Sequence, residues 1–394
     1  MNRKYIGAFV LAAAIVLSGC AKTDAEHKTQ SAQSTGAPTS SKSTGSESSR
    51  GDVSTVSASA VSTSEESSAD VLSPEAPTED PTFEDPGEES SDEPIEAPSP
   101  EIPQPLDSDV VGANETRTVS SGETLYIESG NMLKVEGSLT VESGASLNIA
   151  SGAELLVEGD VLLDGDLVLS EGGKLIMGSD NAEIYGGGSV VVKKDFEQID
   201  CERGTIKAHI TPPERVVENG VTTVGGVVIA NKAIKLPPEF GSHLSLNEAE
   251  PEVFAALEEM SAAAGHWYVN RSGYRSYWDQ QVAYQSNVDL FGVERADMLS
   301  SRAGHSEHQT GLTMDLDSFD QNYDTTPDGK WLADNCWRYG FIIRYPKGKE
   351  HITGYEFEPW HVRYLGKSTA NLVYHSGLTL EEFLNVEGGT VVID

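Results

Sequence analysis

Cationic residues are missing from a long part of this sequence: between Gly51 and Thr116 there is no lysine or arginine, while eighteen aspartates and glutamates occur. Over all 394 residues, 27 Lys and Arg stand against 63 Asp and Glu, a formal charge of -36. So negative a surface repels a phosphate backbone, which argues against nucleic acid as a ligand. Aromatic residues are scarce at 7%, and most lie beyond about Thr222. Only three cysteines are present, Cys20, Cys201 and Cys336. The apolar run from Tyr5 to Leu17 is short of the roughly 20 residues that a membrane span needs. Neither Ser-x-x-Lys nor Gly-x-Ser-x-Gly occurs, so the signatures of serine-nucleophile hydrolases are absent.

What is present begins with "MNRKYIGAFVLAAAIVLSGC", a basic start, an apolar run and then Leu17-Ser18-Gly19-Cys20. This stretch resembles a bacterial lipoprotein signal peptide. The resemblance implies removal of residues 1–19 and lipidation of Cys20, which would hold the chain on the outer face of the cytoplasmic membrane. The competing reading is an uncleaved anchor. Residues 20–116 are Ser, Thr, Pro, Glu and Asp with almost nothing large and apolar. Such a segment cannot recover its ordering entropy by burial, and like charges extend it, so it is expected to be a disordered stalk. A flexible tether of that length reaches roughly 50–60 Å. Much of the net charge belongs to this stalk and is no argument for a basic partner on the folded part. If Cys20 carries lipid, Cys201 and Cys336 lie where a disulfide can persist. A bridge and two buried or unpaired thiols both stay open.

Residues 117–194 have a different texture. Apolar pairs recur at Leu125/Ile127, Leu133/Val135, Leu139/Val141, Leu147/Ile149, Leu155/Val157, Val161/Leu163, Leu167/Leu169 and Leu175/Met177, with a glycine in each gap. An alternating pair is a minimal two-sided strand, and glycine permits a tight corner. Stacked coils of short strands, a β-solenoid, are the expected architecture. A meander of hairpins competes, but its strands usually run longer. The outward positions carry no metal-ligand cluster. A spacer or self-association role, or glycan binding, fits them, and the partner of this region is unassigned. A connector is expected over 195–221.

From residue 222 to 394 the composition is that of a globular domain. "LNEAEPEVFAALEEMSAAAG" places Val253, Phe254, Leu257 and Met260 on one helical face, with Gly265 as the stop. "SYWDQQVAYQSNVDLFG" and "DGKWLADNCWRYG" read as two further helices, the latter ending at Gly340, and "LTMDLD" and "GFIIRYP" as strands. Helices and strands mix without regular alternation, so the domain is expected to be α+β.

Catalytic zinc takes three protein ligands and keeps one position for water. His308 and Asp315, seven apart, suit a turn at Gly311 leading into a strand, and His361 can supply a third ligand. Glu358, three residues earlier, is close enough to act as a base without being a ligand. His305, His351 and His375 read as packed or surface residues. Spacing alone leaves metal binding open.

The blocks "SGYRSYWDQ" (272–280), "GHSEHQTGLTMD" (304–315), "WLADNCWRYGFIIRYP" (331–346) and "GYEFEPWHVRYLG" (354–366) resemble the signature blocks of the VanY-type D-alanyl-D-alanine carboxypeptidases, zinc peptidases of the bacterial wall. "VVIANKAIKLPPEF" (227–240) is similar to the segment that opens that family's domain. The resemblance covers about 222–385 and implies an α+β zinc-peptidase fold with a small antiparallel sheet and flanking helices. It further implies Zn2+ on His308, Asp315 and His361, Glu358 as catalytic base, and Arg275 stabilising the polarised carbonyl or oxyanion. Ser306 and Gln280 match positions lining the substrate cleft. Ala303 stands where proline is common and Thr313 where alanine is common; neither change removes a charge or a ligand. The implied reaction is removal of the C-terminal D-alanine from peptidoglycan stem peptides. The rival readings are an L,D-carboxypeptidase acting on tetrapeptides and a non-catalytic wall-binding module that keeps zinc for structure.

Overall fold

A computed structural model describes residues 110–389. The expected signal peptide, Cys20 and the stalk up to residue 109 lie outside the described residues.

The solenoid is present. Fifteen short strands from Val110–Val111 to His209–Thr211 wind into three parallel five-stranded sheets, each contributing one strand per turn, so there are five turns. Identical positions stack from turn to turn: Leu133 on Leu155 on Leu175, Leu139 on Val161 on Ile184, and Leu147 on Leu167 on Val190. Each four-residue strand from Met132–Val135 to Lys174–Met177 buries its second and fourth residues and leaves the others less buried, as a period of two requires. The solenoid is longer than its pair pattern. Val110–Val111, expected in the stalk, forms the first strand, and residues 199–211, expected in the connector, supply the fifth turn. Single inward residues, Ile199, Ile206 and Ile210, replace the apolar pairs there.

The corners explain the glycines. A Cβ on Gly159 would collide with the carbonyl oxygens of Gly137 and Glu136 in the turn below, whereas one on Gly187 would meet nothing closer than Asp164 at 3.7 Å. Gly159→Ala is therefore expected to destabilise the protein by roughly 1–3 kcal/mol or more, and Gly187→Ala to be tolerated. Thermal melts of the two variants check this; equal melting temperatures would remove the steric account of the corners.

A three-stranded antiparallel sheet, Arg215–Glu218, Val221–Val224 and Val227–Ile229, leads out of the solenoid. Its first turn uses Asn219 and Gly220, both at positive φ. The C-terminal domain follows as α+β. Its sheet has the order Asn270–Ser272, Thr313–Leu316, Glu358–Tyr364, Phe341–Tyr345, with every pairing antiparallel. Around it lie α1 (Pro251–Ala264), α2 (Tyr277–Phe291), α3 (Val293–Leu299), α4 (Pro327–Asn335), α5 (Glu350–Thr353), α6 (Lys367–Ser376) and α7 (Leu380–Leu384).

Local signals account for these elements. Gly265 closes α1 in the left-handed conformation. Ser276 caps α2 by accepting from the Asp279 amide, and Thr326 caps α4 ahead of Pro327. The third helix expected to reach Gly340 is α4 followed by a 3-10 turn, Cys336–Tyr339. Phe254 is exposed rather than on the buried face of α1, which is made by Val253, Ala256, Leu257 and Met260. Phe254 is next to Val253 and so lies about 100° round the helix from it.

Two hydrophobic cores result. One lies between the sheet, α1 and α4 and contains Val253, Leu257, Met260, Met314, Leu332, Phe341 and Val362. The other runs through the solenoid and continues without interruption into α6 and α7. Phe196, in the 3-10 segment that leads into the last turn, packs on Phe383 with ring centroids 5.3 Å apart, the Cys201 amide donates to Ser368 Oγ at 3.0 Å, and Asn371 Nδ2 donates to Gly204 O at 3.3 Å. The C-terminal helices thus cap the apolar end of the stack, as solenoids require. Cys201 and Cys336 are free, buried thiols, and burial pushes both up to about 12. The disulfide is not formed.

Candidate active site

Register brings the site together. Asp315 is the direct cross-strand partner of His361, and Ser272 that of Asp315, so three adjacent strands present these side chains in a row. The alternating residues Met314, Leu316 and Val362 enter the core on the other face. His308 comes from a 3-10 turn, Glu307–Thr310, closed by Gly311 at φ 73°. A side chain on Gly311 would strike Leu244, so the turn needs glycine for both its conformation and its space. Glu358 would face away from His361 in a regular strand. The register with the neighbouring strand shifts between Ile343 and Tyr345, where Ile343 pairs with Val362 and Tyr345 with Glu358. This irregularity re-aims Glu358, whose Oε2 lies 3.2 Å from His361 Nδ1.

His308 Nε2 is 3.3 Å from Asp315 Oδ2, and His361 Nδ1 is 3.1 Å from Asp315 Oδ1. The other nitrogen of His308, Nδ1, faces Gly273 O at 2.8 Å, a bond that fixes the ring and leaves Nε2 for the site. Burial works against ionisation of Asp315, but His308 and His361 hold its carboxyl far below the usual carboxylate range. Burial pushes His308 down. In His361 burial is outweighed by Asp315 and Glu358, which lift it to about 9. Burial raises Glu358 above an ordinary glutamate.

These donors fit a cation. Ligand atoms of His308, Asp315 and His361 all lie within 4.8 Å of one another, and all three residues are buried. Asp315 Oδ1 is 3.1 Å from an imidazole nitrogen yet has no hydrogen-bond partner. Two imidazoles and one carboxylate are a usual set for zinc.

Arg275 lies beside this group. Its amide donates to His308 O at 3.1 Å, Nη1 donates to Gln280 Oε1 at 2.7 Å and Nη2 to Ser272 Oγ at 2.8 Å. Both ends of the Gln280 amide are engaged, since Nε2 also donates to Ser301 O at 2.6 Å and Ser300 Oγ at 3.2 Å. Ser306 is buried just before the His308 turn. The three histidines expected to be packed or on the surface stay out of this group: His305 contacts Asn231 O, His375 contacts Asn371, and His351 is exposed.

Behind the ligands is a group that sequence reasoning missed. Glu307 Oε1 accepts from Arg344 Nε at 2.8 Å and Arg363 Nη1 at 3.0 Å. Arg344 also donates from Nη1 and Nη2 to the two carboxylate oxygens of Glu381 in α7, at 2.8 and 2.6 Å. All four residues are buried. The available signal was an arginine inside each of the apolar strands "FIIRY" and "EPWHVRY".

The sequence of this region is similar to known proteins. The family model described as VanY, D-alanyl-D-alanine carboxypeptidase, matches residues 244–367. The YodJ protein of Bacillus subtilis (strain 168) is 48% identical over 141 residues, 34% of this chain and 52% of its own length, so the chain spans about half of that relative. A D-alanyl-D-alanine carboxypeptidase of Enterococcus faecalis is 32% identical over 186 residues, 43% of this chain and 69% of the relative. Among solved structures, the LdcB LD-carboxypeptidase is 38% identical, covering 45% of this chain and 98% of that one, with a TM-score of 0.41. On this agreement of sequence the chain belongs to the VanY family of D-alanyl-D-alanine carboxypeptidases.

Proposed function

We propose that the protein is a zinc carboxypeptidase that removes the C-terminal D-alanine from peptidoglycan stem peptides. The observation that carries this reading is the convergence of His308, Asp315 and His361 with a buried carboxylate, Glu358, 3.2 Å from one of them. A purely structural zinc is usually closed by four protein ligands and needs no base. Zn2+ held by His308, Asp315 and His361 would supply a Lewis acid and lower the pKa of water to about 7.

The chain's own residues do the rest. Glu358, with its affinity for protons raised by burial, accepts a proton at its carboxylate from the attacking water and returns it to the departing amine nitrogen. The guanidinium of Arg275, fixed by Gln280 and Ser272, offers its remaining N–H groups to the carbonyl oxygen as negative charge grows there. Gln280 acts through Arg275, and Ser306 lines the cleft beside His308. Lipidated Cys20 would keep the enzyme at the outer face of the bacterial cytoplasmic membrane; among the described residues no helix is long and apolar enough to cross a membrane.

The test is mass spectrometry of defined stem peptides incubated with the zinc-loaded full chain and with a chelator-treated control. Loss of one D-alanine from a pentapeptide, abolished by the chelator, is the expected result. Trimming of a tetrapeptide alone would assign L,D specificity. No release from either peptide, with zinc bound, would overturn the enzymatic reading in favour of a wall-binding module.

A further inference from the structure

His361 has two ring nitrogens with different surroundings. Nδ1 faces Asp315 Oδ1 at 3.1 Å and Glu358 Oε2 at 3.2 Å, so it is the nitrogen turned toward the cation site. Nε2 is buried and has no hydrogen-bond partner. The group facing it is Glu307 Oε2, at 4.0 Å. Glu307 spends its other oxygen, Oε1, on both Arg344 and Arg363, and Oε2 has only Thr313 Oγ1 at 3.5 Å. This carboxylate is therefore clamped on one side and open on the side of the imidazole. The clamp is itself anchored: Arg344 is gripped by Glu381 of α7, and Arg363 Nη2 donates to Val228 O at 2.8 Å.

We infer that Glu307 is a positioning residue for the metal site, acting through His361: its fixed negative charge holds the ring proton on Nε2 and so leaves the Nδ1 lone pair for the cation. The inference rests on the zinc reading above. The physical reason is tautomeric. A neutral imidazole carries one proton, and only the tautomer protonated at Nε2 can ligate through Nδ1. Metal-bound histidines almost always have a carboxylate, carbonyl or water opposite the other nitrogen. Here His308 uses Gly273 O for that purpose, and for His361 the facing group is Glu307. The two arginines hold Glu307 in place, so no reorganisation is needed when the cation arrives. Because Glu381 belongs to α7, whose Phe383 packs on Phe196, the support of His361 extends back to the last turn of the solenoid.

The experiment compares the full-length parent with Glu307→Gln. Zinc affinity is measured by competition with a chromophoric chelator, and the visible absorption of the cobalt-substituted protein reports ligand geometry. A glutamine lacks the charge and presents an amide donor to His361, which favours the wrong tautomer. Zinc affinity is expected to fall about 10–100-fold and the cobalt bands to shift, with circular dichroism unchanged. A merely structural role would lower the melting temperature and leave the cobalt bands of the folded protein in place. Imidazole 15N NMR of the zinc-loaded parent keeps the inference testable even if the variant does not fold: the proton must be on Nε2 of His361 and the metal on Nδ1. The opposite assignment, or a folded variant that binds zinc within twofold of the parent, overturns the role of Glu307. A parent that binds no zinc overturns the proposed function instead.

Discussion

Glu358→Gln is expected to lower kcat about 10²–10⁴-fold while zinc stoichiometry stays at the parental value. The substitution keeps the size of the side chain and its place next to His361, but an amide cannot accept and return a proton. Glu358 is not among the three residues that fit the cation, so binding and turnover should separate cleanly. Metal content measured alongside release of D-alanine decides the matter. Turnover at the parental rate would remove Glu358 from the chemistry, and loss of zinc together with activity would make it a ligand.

The second large effect is on stability. Arg344→Met is expected to cost about 3–5 kcal/mol, a large share of a typical total of about 5–15 kcal/mol. Arg344 is fully buried and bridges Glu307 to Glu381, so its loss leaves Glu381 buried without a cation and Glu307 with one arginine fewer. Arg363 would still reach Glu307, but Glu381 would keep only Asn231 Nδ2, at 3.3 Å. Urea denaturation measures the difference. Replacing Arg344 and Glu381 together, by Met and Leu, should be milder than Arg344→Met alone, because an uncompensated charge costs more than a missing pair. A double variant as unstable as the sum of the two single changes would show that the bridge is not what holds this region.

Both predictions concern residues with very different visibility in the sequence. Glu358, His361, His308 and Asp315 could be read because they fall in blocks that resemble a family, and because Gly311 marks the turn between two of them. The way Glu358 reaches the site could not be read: it depends on a register shift beside Pro359, and local pattern does not fix register against a strand elsewhere in the chain. Arg344 was hidden for another reason. A charge in an apolar strand looks like an interruption until its partners are known, and Glu307 and Glu381 are each 37 residues away along the chain. The solenoid was legible wherever apolar pairs repeat. It was lost at its two ends, where Val110–Val111 and single isoleucines make strands too short to show a period. Phe254 was misplaced because a helix carrying alanines on its buried side gives a weak stripe.

The shared core of Phe196, Phe383 and the solenoid has a mechanical consequence. The shared core ties α6 and α7 of the C-terminal domain to the end of the coil, so turning the cleft against the rod would have to break the packing of Phe196 on Phe383. Anything that holds the flanks of that coil would thereby also orient the cleft.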